Sequence, residues 1–141
     1  MTAAPLPQEL VEFLRLPNPA VIATIRPDGS PVSVATWYDW DDGRVLVNMD
    51  GSRRRLEHLR RDPRVALTVL GNDDWGRHVS LRGRVERLER DEGLRDIDRL
   101  ARRYGGVPFR NRTAERQSAW IEIVAWHAWD GAGPWRPGPS G

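Results

Sequence analysis

The stretch that decides the fold runs from Asn48 to Val69 and reads NMDGSRRRLEHLRRDPRVALTV. It predicts the end of one strand, a turn, a short helix from about Ser52 to Arg60, and a strand from Arg64 to Leu70. Leu56 and Leu59 lie three residues apart and form the buried stripe of the predicted helix. A short helix between two strands places its first turn beside the sheet, where a ligand can be held.

Three consecutive arginines, Arg53, Arg54 and Arg55, open this helix, and Ser52 before them can cap it. Free N–H groups, the positive end of the helix dipole and the guanidinium groups then point the same way, which suits a phosphate. Arg55 lies one turn before Leu59 and is expected to lean toward the sheet. Arginine at a helix N-terminus is electrostatically unfavourable, so the run indicates a bound anion. The alternative is that the arginines form a solvated face.

The flanking sequence predicts five further strands, over residues 20–26, 31–38, 44–48, 78–88 and 118–126. Turns at 27–30 and 41–43 would connect the first three strands of the chain in an antiparallel meander, and Gly83 marks a β-bulge. A helix is predicted from Gln8 to Leu14. A second, from Asp91 to Tyr104, would bury Leu94, Ile97, Leu100 and Ala101. Six mostly antiparallel strands with peripheral helices predict a mainly β fold, a small barrel.

Length and composition indicate one domain, predicted at residues 1–130, followed by a Gly- and Pro-rich tail at 131–141. The chain has 141 residues, of which 39% are hydrophobic and 30% charged, as is usual for a globular protein. No apolar run approaches the ~20 residues of a membrane span, and the first residues lack the pattern of a signal peptide. The expected location is the cytoplasm, with no membrane partner.

The residue types present exclude several chemistries. Cysteine is absent, which removes disulfides, thiolate nucleophiles and Cys-based metal sites. All 22 basic residues are arginine, so no lysine can form a Schiff base. The arginines are interspersed with 20 acidic residues, a pattern that does not favour nucleic acid. His58, His78 and His127 lie far apart without metal-ligand spacing, and no metal is expected.

Tryptophan is unusually frequent, with seven residues, at positions 37, 40, 75, 120, 126, 129 and 135. Trp37 is predicted to share a strand face with Ser33 and Ala35, where small neighbours leave a slot for a planar ring. The tryptophans near the C-terminus indicate a subunit interface, because tryptophan brings a large contact area with little entropy loss. The alternative for each of them is a place in the core.

Four segments taken together resemble a known family: AVIATIRPDGSPVSVATWY, GRVLVNMDGSRRRLEHLRRDPRVALTV, RHVSLRGRVERLE and SAWIEIVAWHAW. They resemble the pyridoxamine 5′-phosphate oxidase-like split β-barrel flavoproteins, and are most similar to the branch that uses the deazaflavin coenzyme F420. The resemblance covers about Leu10 to Trp129. It implies a six-stranded antiparallel split β-barrel of the FMN-binding type, and a homodimer with cofactor sites built across the subunit interface.

The resemblance also implies which residues bind the cofactor. The ring would be lined by the second strand, through Ser33, Val34, Ala35, Thr36, Trp37 and Tyr38. The ribityl and phosphate groups would be approached by Asn48 and Met49, and the phosphate held by Ser52, Arg53, Arg54 and Arg55. His78 matches a position contributed by the second subunit. The residues that grip pyridoxal phosphate in true oxidases have only loose counterparts, in Tyr104, Arg110 or Arg112, and Ser118, which disfavours vitamin B6 oxidation.

The implied activity is a reductase that transfers hydride from reduced F420 to a small conjugated acceptor. No catalytic residue is assigned, because the cofactor carries the hydride chemistry in such enzymes. The polar segment from Tyr104 to Thr113 is expected to shape the acceptor pocket. One alternative is an FMN-dependent oxidoreductase of the same fold, and another is a non-catalytic protein that binds a flavin, haem or tetrapyrrole.

Overall fold

A computed structural model describes residues 1–137 of the chain. Its helices and strands, in chain order, are β1 (Thr2–Ala3), α1 (Gln8–Arg15), β2 (Ala20–Ile25), β3 (Pro31–Thr36), β4 (Asp39–Asp41), β5 (Arg44–Asp50), α2 (Arg54–Arg61), β6 (Arg64–Leu70), β7 (Arg77–Arg90), α3 (Arg95–Gly105) and β8 (Arg116–Asp130). A short 3₁₀ turn, Glu92–Leu94, precedes α3. None of these helices has the length and apolar character needed to cross a membrane.

All strands join one antiparallel sheet, in the order β3-β2-β6-β7-β8-β5-β4, with β1 paired to β8. The fold is mainly β, as predicted, and each of the six predicted strands is present. The predicted count of six is wrong, because the described residues form eight strands. β1 has only two residues and β4 only three, too few to give a readable alternation.

The predicted meander of the first three strands is also wrong. β3 pairs with β2, whereas β5 pairs with β4 and β8. The chain leaves the first hairpin at Tyr38, which is fully buried and whose hydroxyl donates to the carbonyl oxygens of Leu14 (2.7 Å) and Leu16 (3.1 Å). Turn residues indicate where one strand ends and the next begins, but they do not determine which strands pair. Here the buried Tyr38 lies between β3 and β4, and β5 pairs with β4 and β8 instead of β3.

The second helix begins later than predicted. α2 starts at Arg54, and Arg53 occupies the N-cap position without a side-chain cap hydrogen bond. The predicted cap by Ser52 is wrong, because the Ser52 hydroxyl donates to Asp50 Oδ1 at 2.7 Å. Asp50 ends β5 two residues earlier and captures this hydroxyl in the intervening turn.

The third helix also begins later than predicted, at Arg95 instead of Asp91. Asp91 lies before it and accepts hydrogen bonds from the backbone N–H groups of Asp96 and Ile97, both at 2.9 Å. Leu94 has a left-handed backbone (φ 59°) and is half-buried, so it does not extend the buried stripe. The carboxylate of Asp91 therefore satisfies free N–H groups of the first helical turn from outside the helix.

β7 and β8 are the longest strands, with 14 and 15 residues, and they form the centre of the sheet. The predicted bulge at Gly83 is confirmed by a register shift between Arg82 and Gly83. A Cβ atom at position 83 would lie 2.4 Å from the backbone oxygen of Glu122. Only glycine allows the two strands to approach this closely.

The first part of the predicted tail folds back onto the sheet. The backbone N–H of Trp135 donates to the Ala128 carbonyl oxygen at 2.8 Å. The Trp135 ring meets Trp126 edge-on, with centroids 5.8 Å apart. Residues 138–141 of the predicted tail lie outside the described residues, and a domain boundary at residue 130 stays a prediction.

Candidate functional site

An open cleft with a volume of about 1750 Å³ runs between the inner face of β2 and β3, helix α2 and helix α3. Its floor is largely apolar and includes Ala20, Ile22 and Val34. Pockets for small ligands usually occupy about 300–1000 Å³. The cleft therefore has room for an elongated ligand or for two ligands side by side.

Arginines form one side of the cleft, as the sequence predicts. Arg53, Arg54 and Arg55 all border it. Arg55 leans inward, is half-buried, and has a buried Nε atom without a hydrogen-bond partner among the described residues. Burial, and then the charges of Arg53 and Arg116, lower the pKa of Arg55. A buried cation beside like charges is unfavourable until an anion joins it.

Arg116, which the sequence analysis missed, belongs to the same group of cations. It is the first residue of β8 and borders the cleft. Its Nε atom donates to Asn48 Oδ1 at 2.7 Å. Its guanidinium carbon lies 4.7 Å from the centroid of the Phe109 ring. The predicted strand begins two residues later, at Ser118, and does not include Arg116.

Asn48 is held by a buried polar network. Its Nδ2 atom donates to Asp91 Oδ2 and to Ser118 Oγ, each at 3.1 Å. The Ser118 hydroxyl donates in turn to Asp96 Oδ2 at 2.6 Å. Every polar atom of the Asn48 side chain thus has a partner, and its orientation is fixed.

Trp37, Tyr104 and Phe109 form an aromatic wall of the cleft. The Trp37 ring stacks on Tyr104, with centroids 5.5 Å apart and planes 7° from parallel. Phe109 meets Trp37 edge-on at 6.3 Å. The Tyr104 hydroxyl donates to the Asn18 carbonyl oxygen at 2.7 Å, and burial raises the pKa of Tyr104. Tyr104 and Phe109 border the cleft, and the role of the segment from Tyr104 to Thr113 in an acceptor pocket stays a prediction.

A single carboxylate fastens this segment to helix α3. Asp98 Oδ1 accepts a hydrogen bond from the Phe109 backbone N–H at 3.0 Å. Both carboxylate oxygens of Asp98 accept from Arg112, at 2.6 and 3.1 Å. The hydrogen bond from Arg112 lowers the pKa of Asp98. The segment had no readable pattern because its structure depends on this contact with another element.

The cleft brings together most of the predicted cofactor-binding residues. Those that border it are Val34, Ala35, Thr36, Trp37, Asn48, Met49, Ser52, Arg53, Arg54 and Arg55. Among the cleft residues that were not predicted, His58 places Nδ1 3.4 Å from the Thr24 hydroxyl at the floor.

Three predicted site residues do not border this cleft: Ser33, Tyr38 and His78. Ser33 is exposed and pairs with Ala23. It lies on the opposite face of β3 from Val34, which borders the cleft, so the slot predicted beside Trp37 does not include Ser33. Tyr38 is fully buried. His78 is half-buried in β7, and a contribution from it to a second subunit's site stays a prediction.

Comparison with known proteins gives the family. The family model described as pyridoxamine 5′-phosphate oxidase matches residues 6–130. The structure is similar to that of an F420 reductase, at 27% identity over 87% of this chain and 98% of the reductase, with a TM-score of 0.76.

Two further solved structures are similar. One is a conserved hypothetical protein from Mycobacterium tuberculosis, at 26% identity over 92% of this chain and 88% of the other, with a TM-score of 0.69. The other is the General Stress Protein 26 of Bacillus anthracis, at 16% identity over 86% of this chain and 92% of the other, with a TM-score of 0.64. The last likeness concerns the fold alone. Because the family model matches residues 6–130 of its 141 residues, the chain belongs to the pyridoxamine 5′-phosphate oxidase family.

Proposed function

We propose that the protein is an oxidoreductase that uses reduced coenzyme F420 to reduce a small conjugated acceptor. The observation that carries the proposal is the buried, unpaired Nε atom of Arg55 beside Arg53 and Arg116. This group needs an anion, and F420 carries a phosphate and an acidic tail. The likeness to an F420 reductase at 27% identity supports F420 over other anionic cofactors.

The residues of the cleft fit such a cofactor. Arg53, Arg54 and Arg55 would hold the phosphate through charge-assisted hydrogen bonds. Val34 and Trp37 would offer apolar and aromatic surface to the ring. When bound, F420 supplies the hydride, and the protein supplies placement and electrostatics.

The chain's own residues then orient the reactants and limit water. The apolar floor and the wall of Trp37, Tyr104 and Phe109 shield two sides of the cleft. Tyr104 keeps its proton at neutral pH, because burial raises its pKa and its hydroxyl donates to Asn18. No side chain is assigned as the acid or base.

The first test is a titration of the purified protein with F420 and, separately, with FMN, followed by tryptophan fluorescence. We expect micromolar binding of F420 and a weak response to FMN. Oxidation of reduced F420, measured anaerobically with a panel of conjugated acceptors, then tests catalysis. Binding of neither cofactor contradicts the proposal, and binding without turnover of any acceptor favours a non-catalytic flavin, haem or tetrapyrrole carrier.

FMN is the second candidate cofactor, because an arginine cluster accepts any phosphate of suitable size. Tight binding of FMN alone, with turnover, would move the activity to an FMN-dependent oxidoreductase. The arginine cluster by itself does not distinguish the two cofactors, which is why both are titrated.

We also propose that the protein acts as a homodimer. The outer face of the sheet carries small side chains at directly paired positions in β3, β2, β6 and β8, namely Ser33, Ala23, Ala66 and Ala125, with Arg82 of β7 among them. Ala66 is exposed on this face. Small side chains let two sheets approach closely. We expect a dimer in sedimentation velocity at micromolar concentration, and a monomer for Ala66→Glu. A monomeric wild type would contradict the proposal.

A further inference from the structure

Arg116 is held in place before any ligand arrives. Its carbonyl oxygen accepts a hydrogen bond from the Asp91 backbone N–H at 2.8 Å, and it pairs with Asp50 at the end of β5. Its Nε–H is directed by Asn48, whose own side chain is fixed by Asp91 and Ser118. Backbone and side chain are thus both constrained, which reduces the entropy lost when a ligand binds.

The remaining donors of Arg116 have no partner among the residues that the structure describes. Neither Nη atom has a hydrogen-bond acceptor among residues 1–137. The nearby Asp50 is engaged instead by Ser52, whose backbone N–H and hydroxyl bond to Asp50 Oδ1 at 2.8 and 2.7 Å. The face of the guanidinium is covered by Phe109, which leaves the donors at its edge free for an anion.

Arg116 also stands close to the other cations of the cleft. Its charge is one of the causes that lower the pKa of Arg55. Burial, and the charge of Arg53, lower the pKa of Arg116 itself, although Asp50 and Asp91 act in the opposite direction. Arg55 of α2 and Arg116 of β8 both border the cleft, so cations from two different elements face the same space.

We propose that Arg116 is a second anion-binding residue of the cleft, which binds the same phosphate as Arg55. Asn48 is then a positioning residue, which acts on the anion through Arg116. The inference rests on the proposed function for the identity of the cofactor, but it holds for any phosphate-bearing ligand of the cleft.

The test compares Arg116→Gln with Arg95→Gln, an identical change at an exposed arginine that does not border the cleft. Affinities for F420, FMN and inorganic pyrophosphate are measured by calorimetry at several salt concentrations. We expect Arg116→Gln to weaken phosphate-ligand binding by about tenfold or more and to flatten its salt dependence. Arg95→Gln should stay within about twofold of the wild type, since screened charges far from the ligand contribute little.

The role of Asn48 is tested by a double-mutant cycle with Asn48→Ser. If Asn48 acts through Arg116, adding Arg116→Gln to Asn48→Ser should weaken binding much less than it weakens the wild type. Independent, additive losses would overturn the positioning role. Should Asn48→Ser fail to fold, Arg116→Lys replaces it, because lysine keeps the charge but lacks the Nε–H bonded to Asn48. We expect it to recover only part of the lost affinity, and full recovery overturns the positioning role.

The outcomes separate this inference from the proposed function. If the wild type binds FMN and not F420, the F420 proposal fails, while the loss in Arg116→Gln is still measured with FMN. If Arg116→Gln has the same affinity as Arg95→Gln for every ligand that binds, the proposed role of Arg116 in anion binding is overturned. If the wild type binds none of the three probes, both proposals are overturned.

Discussion

The indole of Trp37 lies parallel to the phenol ring of Tyr104, with centroids 5.5 Å apart and planes 7° from parallel. The stack covers one face of the indole, while Trp37 as a whole is 39% exposed and borders the cleft. Aromatic pairs of this kind contribute about 0.5–1.5 kcal/mol beyond their buried area. Trp37 is thus held rigidly at the place where a ligand ring would arrive.

Trp37→Phe should remove most of the fluorescence change that ligand binding causes, because the other tryptophans do not border the cleft. Phenylalanine keeps an aromatic ring against Tyr104, so the affinity measured by calorimetry should change by only a few-fold. Trp75→Phe is the control, since Trp75 is 76% exposed in the loop before β7. An unchanged fluorescence signal in Trp37→Phe would place the ligand elsewhere.

Arg55→Met should affect binding and stability in opposite directions. Loss of a charge-assisted contact should weaken phosphate-ligand binding by about tenfold or more. The free energy of unfolding without ligand should stay the same or rise by about 1 kcal/mol, because a buried donor without a partner is removed. Urea unfolding and calorimetry measure the two effects. An affinity within about twofold of the wild type would contradict the phosphate assignment.

Tyr38→Phe should lower stability and leave ligand binding unchanged. The Tyr38 hydroxyl donates to the carbonyl oxygens of Leu14 and Leu16, and burial raises the pKa of Tyr38. Losing this donor inside the protein should lower the free energy of unfolding by about 1–2 kcal/mol. Fluorescence titration should give a Kd within about twofold of the wild type. A large loss of affinity would instead support the predicted role of Tyr38 at the cofactor.

Asp98→Asn should destabilise the protein at neutral pH and much less in acid. Because Arg112 lowers the pKa of Asp98 below 3.8, the folded state favours the ionised carboxylate. This contribution is present above the unfolded pKa and is lost as pH falls through the lower, folded pKa. Urea unfolding of both proteins between neutral pH and about pH 2 should therefore show a difference that shrinks in acid.

The wild type alone does not isolate this effect, since Arg64 also lowers the pKa of Asp62, to about 2. The difference between wild type and Asp98→Asn removes such shared contributions. The Trp37 emission gives a second readout, because Phe109, held by Asp98, touches Trp37. A difference in stability that does not depend on pH would contradict the ionic role of Asp98.

Features that depend on local sequence were predictable. The strand Arg64–Leu70 has both of its predicted bounds, the bulge occurs at Gly83, and Leu56 and Leu59 form the buried stripe of the second helix. Periodicity, proline and glycine fix each of these within a few residues of chain. The family resemblance indicated ten of the residues that border the cleft.

Features that depend on distant partners were not predictable. The bond between Arg116 and Asn48 joins residues 68 apart, and requires the register of β5 against β8. The Ser52 cap failed because Asp50, in the same turn, competes for the hydroxyl. A single sequence shows which groups can form hydrogen bonds. Which of several competing partners forms the bond depends on how the strands pair.

The pairing of β5 with β8 also has a consequence for the order of events during synthesis. Asn48 pairs with Ser118, and Arg116 lies two residues before Ser118 on the same late strand, so half of the anion site is translated long after the other half. Until β8 emerges from the ribosome, β5 lacks its inner neighbour and β7 its long partner. Contacts so distant in sequence form slowly. A ligand that needs both halves of the anion site can therefore bind only after β8 has joined the sheet.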